Sequence, residues 1–288
     1  MRTAWPIISY DRHWRRHCLR GTCQRLPPDL CLRRFDLCLP GLGPEPFTLA
    51  FFSDLHWDGQ PAARLRRLVE AVNAAAADLV LFGGDLAAYL VDVPSALAQL
   101  GGLRARRACL AVRGNRESAC AWLGPSFWRE RYAEVGFRYL HNELWEDPAD
   151  PAAPVLVGVD DQRHGDPDFQ PAAQAAAAGR TVVTLTHNPD AVGHRDGAFL
   201  GHLVLSAHTH GGQYRLPGLG ALFTSSRFWR QFDRGWRCHR QGALLYVTTG
   251  AGETGSGLLR RRLCCPPEVV LISLRGSASA AARPSREP

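Results

Sequence analysis

Short apolar runs, each ending in polar residues or glycine, constrain the fold of this chain more than any other feature of its sequence. Such runs, bounded by turn signals, are typical of buried β-strands. They predict strands at residues 47–52, 79–82, 108–112, 155–159, 181–185, 203–205, 244–247 and 269–274. After the first run, Leu65, Leu68, Val69 and Val72 recur at helical spacing, which predicts a helix ending near Ala77.

Helices and strands alternate in the first half of the chain, and strands dominate the second half. Further helices are predicted near residues 94–100, 127–135 and 171–178. This order predicts an α/β fold with a mixed sheet system. Because polar residues stand just past the strand ends, where open α/β sheets place their sites, we expect the functional site there.

The chain divides into three regions by composition. Residues 1–46 are rich in arginine, proline and cysteine, and their prolines break regular elements. They predict an irregular N-terminal arm with one short strand at residues 35–39. The regular pattern defines a domain over residues 47–275. Residues 276–288, rich in serine, alanine, arginine and proline, are expected to form a disordered tail.

Arginine supplies all of the positive charge outside histidine, since the chain has no lysine among its 34 basic residues. The formal net charge of +7 favours anionic partners: a phosphorylated substrate, an anionic membrane surface or nucleic acid. Nucleic acid is disfavoured because no known binding module accompanies the charge. Trp5 and Trp14 stand among arginines, so the arm is either a loose extension or a segment that docks on anionic lipid.

The sequence also bears on cellular location. No apolar run approaches the roughly 18–20 residues of a membrane span, and the N-terminal arginines precede no apolar segment typical of a secretory signal. We therefore expect a cytoplasmic protein, with peripheral attachment to the cytoplasmic membrane face as the alternative. The nine cysteines are expected to be reduced thiols. The sequence leaves the oligomeric state open.

Metal-binding residue types recur at the ends of the predicted strands. They are Asp54, His56, Asp85, Asn115, His187, His208 and His210. Two carboxylates, four imidazoles and one amide are too many for one tetrahedral ion, but they suit two ions that share a bridging carboxylate. The glycines at positions 83, 84 and 114 allow close backbone approach. Two ions about 3.5–4 Å apart would activate water and clamp a phosphoryl oxygen.

These residues stand in five ordered blocks. The blocks are Asp54-Leu55-His56, Gly84-Asp85, Gly114-Asn115-Arg116-Glu117, His187 within Thr-His-Asn-Pro-Asp, and Ala207-His208-Thr209-His210. In this order the chain resembles the calcineurin-like metallophosphoesterases from about Phe47 to Leu274. The run from His208 to Gln213 and the late Pro267-Glu268-Val269 look like the small bacterial branch of membrane-linked phosphoesterases.

The resemblance implies two mixed β-sheets packed as a sandwich and flanked by helices. It implies that Asp54, His56, Asp85 and His210 hold one metal. It further implies that Asp85 bridges to a second metal, whose other ligands are Asn115, His187 and His208. Asp85 and Asn115 would thereby serve catalysis directly. Mn is the first choice of metal, and mixed nitrogen and oxygen ligation also allows Fe, Zn or Co.

Two positions depart from the family pattern. Ala207 replaces a glycine, and Arg116 replaces a histidine that many relatives use near the leaving group. Arginine cannot act as a general acid, because its pKa exceeds about 12, but it can bind phosphate oxygens and neutralise developing charge. We therefore expect Arg116 to be catalytic and to suit a phosphoanhydride, whose leaving phosphate needs no proton.

Three functions remain open. The Gly-Asn-Arg-acidic block resembles the UDP-2,3-diacylglucosamine pyrophosphohydrolases of lipid A synthesis, which favours a binuclear hydrolase that cleaves a phosphoanhydride in a lipid-linked nucleotide. The alternative within the same fold is a general phosphodiesterase or phosphatase. The alternative of another class is a metal-free binding scaffold, which the full ligand set disfavours.

Overall fold

Residues 7–9, 18–59, 62–193, 198–239, 242–255 and 260–276 are described by the computed structural model. The strands are β1 (Ile7–Ser9), β2 (Cys18–Leu26), β3 (Leu30–Leu39), β4 (Phe47–Phe52), β5 (Leu79–Phe82), β6 (Ala108–Ala111), β7 (Phe137–Tyr139), β8 (Glu143–Trp145), β9 (Val155–Val159), β10 (Val182–Thr186), β11 (Leu203–Ser206), β12 (Arg215–Leu216), β13 (Gly220–Ala221), β14 (Gly235–His239), β15 (Leu244–Val247) and β16 (Glu268–Gly276). The α-helices are α1 (Ala62–Ala75), α2 (Val93–Leu100), α3 (Asn115–Ser118), α4 (Pro125–Ala133), α5 (Gln170–Ala177) and α6 (Asp190–Gly193).

Among the described residues, two seven-stranded mixed sheets form the centre of the fold, and β12 pairs with β13 in a separate small sheet. One has the order β2-β3-β16-β4-β5-β6-β7, and the other has the order β1-β14-β15-β11-β10-β9-β8. In the first sheet β4, β5 and β6 run parallel. In the second sheet β9, β10, β11 and β15 run parallel, and β14 is antiparallel to β15. The predicted α/β class with two mixed sheets is confirmed.

Alternation along the central strands builds the sandwich. In β4, Leu49 and Phe51 point between the two sheets, where they join a cluster that includes Leu185 and Leu205 from the second sheet. Their neighbours Ala50 and Phe52 point to the opposite face. Because successive strand residues face opposite sides, a strand buried on both faces needs an uninterrupted apolar run. The apolar runs of the sequence meet this requirement.

Helices cover the outer faces of both sheets. The apolar stripe of α1, which includes Leu65, Leu68 and Val72, packs with α2 and α4 on the first sheet. Ala172 and Ala175 of α5 pack on the second sheet. The helix predicted to follow the first strand is confirmed as α1, and the predicted helices near residues 94–100, 127–135 and 171–178 correspond to α2, α4 and α5.

The N-terminal region differs from the expected irregular arm. Residues 18–39 contain β2 and β3, which pair with each other, and β3 pairs in parallel with β16. Pro27 and Pro28 lie in the turn between these two strands, so they mark a hairpin and do not interrupt an element. Arg64 of α1 forms an ion pair with Asp29 of this turn. The hairpin is therefore an integral part of the first sheet.

Some expectations lie outside the described residues. Trp5, Trp14 and residues 277–288 of the predicted disordered tail are among them. Among the described residues, no helix has both the length and the apolar character that crossing a membrane requires. The boundaries of the domain predicted at residues 47–275 remain a prediction.

Candidate metal centre

The carboxyl ends of the parallel strands bring the predicted ligands together. In the first sheet, Asp54 and His56 follow β4, Asp85 follows β5 and Asn115 begins α3 after β6. In the second sheet, His187 directly follows β10. His208 and His210 follow β11. Because parallel strands end at the same edge, ligands distant in sequence meet where the two sheets face each other.

One group of ligand atoms lies around Asp54, His56 and His210. The Nε2 atoms of His56 and His210 are 3.0 Å apart. Asp54 Oδ1 lies 3.6 Å from His210 Nε2. Asp85 Oδ2 lies 3.4 Å from His56 Nε2. Two imidazole nitrogens and two carboxylate oxygens thus converge on one small volume, as a divalent metal requires.

A second group lies around His187. Its Nε2 is 3.5 Å from Asp85 Oδ1, 4.0 Å from Asp54 Oδ1 and 3.2 Å from Asn115 Oδ1. The ring of His208 packs edge-on against the ring of His187, with centroids 5.2 Å apart. Asp85 therefore offers one oxygen to each group, and Asp54 Oδ1 lies between them. The structure brings all seven predicted ligands together.

Backbone conformation at this edge is unusual. Asp54, His56, Asp85, His208 and His210 all have positive φ, between 42° and 68°. For residues other than glycine this left-handed region costs on the order of 1–3 kcal/mol each, and it persists only where the surroundings enforce it. Such strain is concentrated at functional sites. Here it turns the ligand side chains back toward the junction of the two sheets.

Two glycines permit the close approach of the loops. A Cβ on Gly84 would lie 2.3 Å from the backbone nitrogen of Gly114. A Cβ on Gly114 would lie 2.2 Å from Asp85 Oδ1. Both distances are too short for any side chain, so the prediction that these glycines admit close backbone approach is confirmed.

Burial keeps most of the histidines neutral. It lowers the pKa of His56 to about 4 and that of His208 to about 3. Burial, together with the neighbouring His56, also lowers the pKa of His210 well below its ordinary value. A neutral imidazole retains a lone pair on one nitrogen, which is the form that binds metals.

His187 behaves differently, because it faces two carboxylates. Burial alone would lower its pKa, but Asp85 and Asp54 outweigh burial and raise the pKa to about 9. Burial raises the pKa of Asp54 to about 7. Burial also acts to raise the pKa of Asp85, but His187 and His56 outweigh it and lower the pKa. Of the four predicted histidine ligands, His187 is thus the one whose pKa is raised by its carboxylate neighbours.

Unpartnered polar atoms test whether a cation fits. Asp54 is fully buried, and its Oδ1 accepts no hydrogen bond among the described residues. His208 Nε2 is buried and likewise lacks a partner in the described part of the chain. A buried polar atom without a partner is costly. Asp54 Oδ1 lies near the histidine nitrogens but accepts no hydrogen bond from the described residues. A divalent cation bound between these oxygen and nitrogen atoms would supply the missing partner.

Glu117 supports the centre, although its motif alone indicates no separate role for it. Its buried carboxylate accepts hydrogen bonds from the backbone N–H groups of Asp85, Leu86 and Gly114, at 3.1, 2.6 and 2.8 Å. It therefore ties the loop after β5 to the loop after β6. The signal was present in the Gly-Asn-Arg-acidic block, where the acidic residue completes the motif.

Arg262 was also missed. Its Nη2 lies 3.3 Å from His210 Nδ1, and its Nε donates to the carbonyl of Gly252 at 2.9 Å. This guanidinium helps to fix the position of the His210 ring. No motif signals the contact, since Arg262 follows His210 by 52 positions and belongs to none of the five blocks.

A cleft of about 390 Å³ opens over the candidate metal centre. The exposed side chain of Arg116 lines it, together with Arg163, Tyr214 and Phe223. The backbone N–H of Arg116 donates to Asp85 Oδ1 at 2.8 Å, so the same residue fixes a predicted ligand and presents a guanidinium to the cleft. The arrangement can hold an anionic group beside two cations.

Comparisons with known proteins agree with this geometry. The family described as calcineurin-like phosphoesterase matches residues 47–212, more than half of the chain, and this segment contains all seven predicted ligands. The chain is 25% identical over 285 residues to the uncharacterized metallophosphoesterase YkuE of Bacillus subtilis (strain 168), covering 96% of this chain and 92% of that protein. It is 27% identical over 239 residues to the phosphodiesterase YaeI of Escherichia coli (strain K12), covering 80% and 82%. It is 30% identical over 179 residues to an uncharacterized metallophosphoesterase of Aquifex aeolicus (strain VF5), covering 59% and 61%.

Proposed function

Since the chain belongs to the calcineurin-like phosphoesterase family, we propose that it is a two-metal hydrolase that cleaves a phosphoanhydride in a lipid-linked nucleotide, such as UDP-2,3-diacylglucosamine. Because the chain belongs to this family, it is a metallophosphoesterase that uses divalent metal. The number and identity of the metals, the ligand assignment and the substrate are our proposal. The observation that carries the substrate is Arg116, an arginine where family members often have a histidine.

In this proposal the two groups of ligand atoms hold one ion each. Asp54, His56, Asp85 and His210 hold the first, and Asp85 with Asn115, His187 and His208 holds the second. The two Asp85 oxygens support a bridging role, because they lie 3.4 and 3.5 Å from histidines of different groups. When bound, two divalent ions supply Lewis-acid activation of water and of the phosphoryl oxygen. Manganese is the first metal to test.

Arg116 performs the role that suits an anhydride. Its side chain is exposed to the cleft and forms no ion pair among the described residues. A guanidinium remains charged at every physiological pH and cannot protonate a leaving group. It can donate two hydrogen bonds to phosphoryl oxygens and stabilise the charge that develops on them. A leaving phosphate departs as an anion, whereas an alkoxide would need a proton.

Apolar surfaces beside the cleft support a lipid-bearing substrate. A hollow of about 230 Å³ adjoins Arg116, and its lining includes the exposed side chains of Tyr89 and Leu90. On the cleft wall, the Phe223 side chain is 69% exposed. Exposed apolar side chains next to a polar site indicate an apolar ligand or surface. An acyl chain leaving the cleft would bury this area.

Hydrolysis of UDP-2,3-diacylglucosamine by the purified full-length chain with added Mn²⁺ tests the proposal. We expect release of UMP that EDTA abolishes. Bis-p-nitrophenyl phosphate, assayed beside it, reports the chemistry of the centre independently of the lipid. Metal-dependent cleavage of the aryl diester without UMP release would overturn the substrate and retain the family chemistry. Turnover of neither compound by metal-loaded protein would overturn the proposed hydrolase.

A general phosphodiesterase is the second candidate. The observation that favours it is the relative YaeI, a phosphodiesterase that is 27% identical over 80% of this chain. A higher kcat/KM for simple diesters than for the lipid nucleotide would select this function. A metal-free scaffold is disfavoured, because in it the buried Asp54 Oδ1 would have no partner among the described residues.

A further inference from the structure

A second, polar hollow adjoins the cleft over the candidate metal centre. Its volume is about 240 Å³. Arg163, His208 and Ser225 line both this hollow and the cleft. The other side chains that line it include Arg227 and Asn188. We refer to it as the arginine hollow. Because its wall includes His208, a substrate group held here lies next to the metal ligands.

The two arginines of this hollow have unpaired guanidinium groups. Neither Arg163 nor Arg227 forms a side-chain hydrogen bond or ion pair with any residue that the structure describes. Both side chains are exposed to solvent, whereas the buried Arg113 is paired with Asp160 through two bonds of 2.6 and 2.8 Å. Two unpaired cations at one small hollow repel each other. Such an arrangement is typical of a site for an anion.

The position of Arg163 is set by a carboxylate that does not neutralise it. Asp161 is fully buried, and its Oδ2 accepts hydrogen bonds from the backbone N–H groups of Arg163 and His164, both at 2.9 Å. The backbone N–H of Asp161 in turn donates to Asp160 Oδ1 at 2.8 Å. The loop is thereby fixed, while the Arg163 guanidinium stays available.

Arg227 is held in the same way. The buried Asp190 accepts a 2.8 Å hydrogen bond from the backbone N–H of Arg227 through Oδ2, and its Oδ1 accepts from the hydroxyl of Ser226. Asp190 also lines the hollow, so the two guanidinium groups face one carboxylate there and positive charge remains in excess. Pre-organised backbone lowers the entropic cost of binding an anion.

The remaining groups in the hollow add hydrogen-bond donors. Asn188 Oδ1 accepts from the backbone N–H of Asp190 at 3.0 Å, which leaves its NH₂ group as a donor. Gln162 contributes a second amide. Two guanidinium groups with two amides match a tetrahedral oxyanion, since arginine pairs with phosphate through two parallel hydrogen bonds.

We propose that the arginine hollow binds a second phosphate group of the substrate, the phosphate that leaves when the anhydride bond is cleaved. This inference rests on the proposed function and identifies the substrate as a diphosphate diester. In the reaction, a water oxygen forms a bond to the attacked phosphorus and the bond from that phosphorus to the bridging oxygen breaks. The electron pair of the broken bond remains on the bridging oxygen, and the protons of the water end on the two phosphate products and the solvent. Arg163 and Arg227 stabilise the charge on the departing phosphate.

Competitive inhibition of bis-p-nitrophenyl phosphate hydrolysis tests this assignment. The probes are AMP, with one phosphate, and α,β-methylene-ADP, whose second phosphate is joined through a carbon that hydrolysis cannot break. Mn²⁺ is kept in excess over either nucleotide. We expect α,β-methylene-ADP to inhibit about tenfold more tightly than AMP. Arg163→Gln and Arg227→Gln each bring the ratio of the two inhibition constants close to one.

Arg138→Gln is the matched control, because Arg138 is an exposed arginine of β7 that does not line the hollow. It is expected to keep the ratio of the unaltered protein. A ratio that stays unchanged in both Arg163→Gln and Arg227→Gln, while the aryl diester is still cleaved, would overturn the second phosphate site alone. If the unaltered protein shows no metal-dependent cleavage of the aryl diester, the result would instead contradict the proposed function.

Discussion

Two clusters of buried charge in this protein differ in how many hydrogen-bond partners their carboxylates have. In the candidate metal centre, Asp54 receives one hydrogen bond of 3.3 Å from the backbone of His208, and its other oxygen receives none within the described residues. In the other cluster, Asp233 is also buried, but its two oxygens accept 2.7 Å bonds from Arg215 and Arg237. Burial is common to both carboxylates, and only the missing partners distinguish the first. The comparison shows that unsatisfied charge, and not buried charge by itself, marks the site for a ligand.

The largest effect is expected from Asp85→Ala, which removes the carboxylate that faces both histidine groups. Metal-dependent turnover of bis-p-nitrophenyl phosphate should fall about 10³-fold or more, since several kcal/mol of transition-state stabilisation depend on the ions. His208→Ala should have a similar effect. Initial rates at saturating Mn²⁺ measure both. Retention of more than a tenth of the activity in Asp85→Ala would contradict the proposed bridging role.

Asp233→Ala should instead reduce stability. Removing this carboxylate leaves the guanidinium groups of Arg215 and Arg237 buried without a counter-charge, which typically costs about 3–5 kcal/mol of the free energy of unfolding. Urea denaturation of the metal-free protein measures the loss. Asp85→Ala is the matched comparison and should lose less stability. Equal losses for the two variants would break the distinction between the clusters.

Added metal should stabilise the protein through only one of the two clusters, the candidate metal centre. At a free Mn²⁺ concentration about a hundredfold above Kd, the free energy of unfolding should rise by about 2.7 kcal/mol. The same increment is expected in Asp233→Ala and should be absent in Asp85→Ala. Thermal melts with Mn²⁺ or with EDTA provide the measurement. An undiminished increment in Asp85→Ala would place the bound ion elsewhere.

The smallest effect extends the comparison from carboxylates to arginines. Arg116 is unpaired within the described residues, whereas Arg215 is paired, so Arg116→His should alter substrate preference without loss of metal binding. We expect the ratio of kcat/KM for an alkyl phosphodiester, whose leaving alkoxide needs a proton, to that for UDP-2,3-diacylglucosamine to rise about tenfold. Arg138→Gln serves as the control. Unchanged relative rates would remove the role that we assign to Arg116.

The local hydrophobic pattern of the sequence predicts much of this structure. The central strands are apolar on both faces, so their runs predicted β4, β5, β6, β9, β10, β11 and β15 without reference to distant contacts. The candidate ligands could be named because each directly follows such a strand. The hairpin of β2 and β3 was not predicted, because prolines are typical of irregular structure and here they mark only the turn.

Contacts between distant residues were beyond the reach of local pattern. Arg262 contacts His210, and Arg163 joins Arg227 at the arginine hollow, only because the loops after different strands meet at one edge. The role of Glu117 depends on three backbone N–H groups, and a backbone N–H group leaves no signature in the residue type. The position of Asp54 Oδ1 between the two histidine groups is likewise a property of geometry alone.

The central place of β16 has a consequence for biosynthesis. β16 is inserted between β3 and β4. Its Glu268 accepts hydrogen bonds from Tyr246 of β15, in the second sheet, and from Thr248, which directly follows β15. While the chain emerges from the ribosome, β3 and β4 lack the strand that separates them in the finished sheet. The sandwich can close only when residues 268–276 have been translated, so the metal ligands acquire their final positions only after β16 has been synthesised.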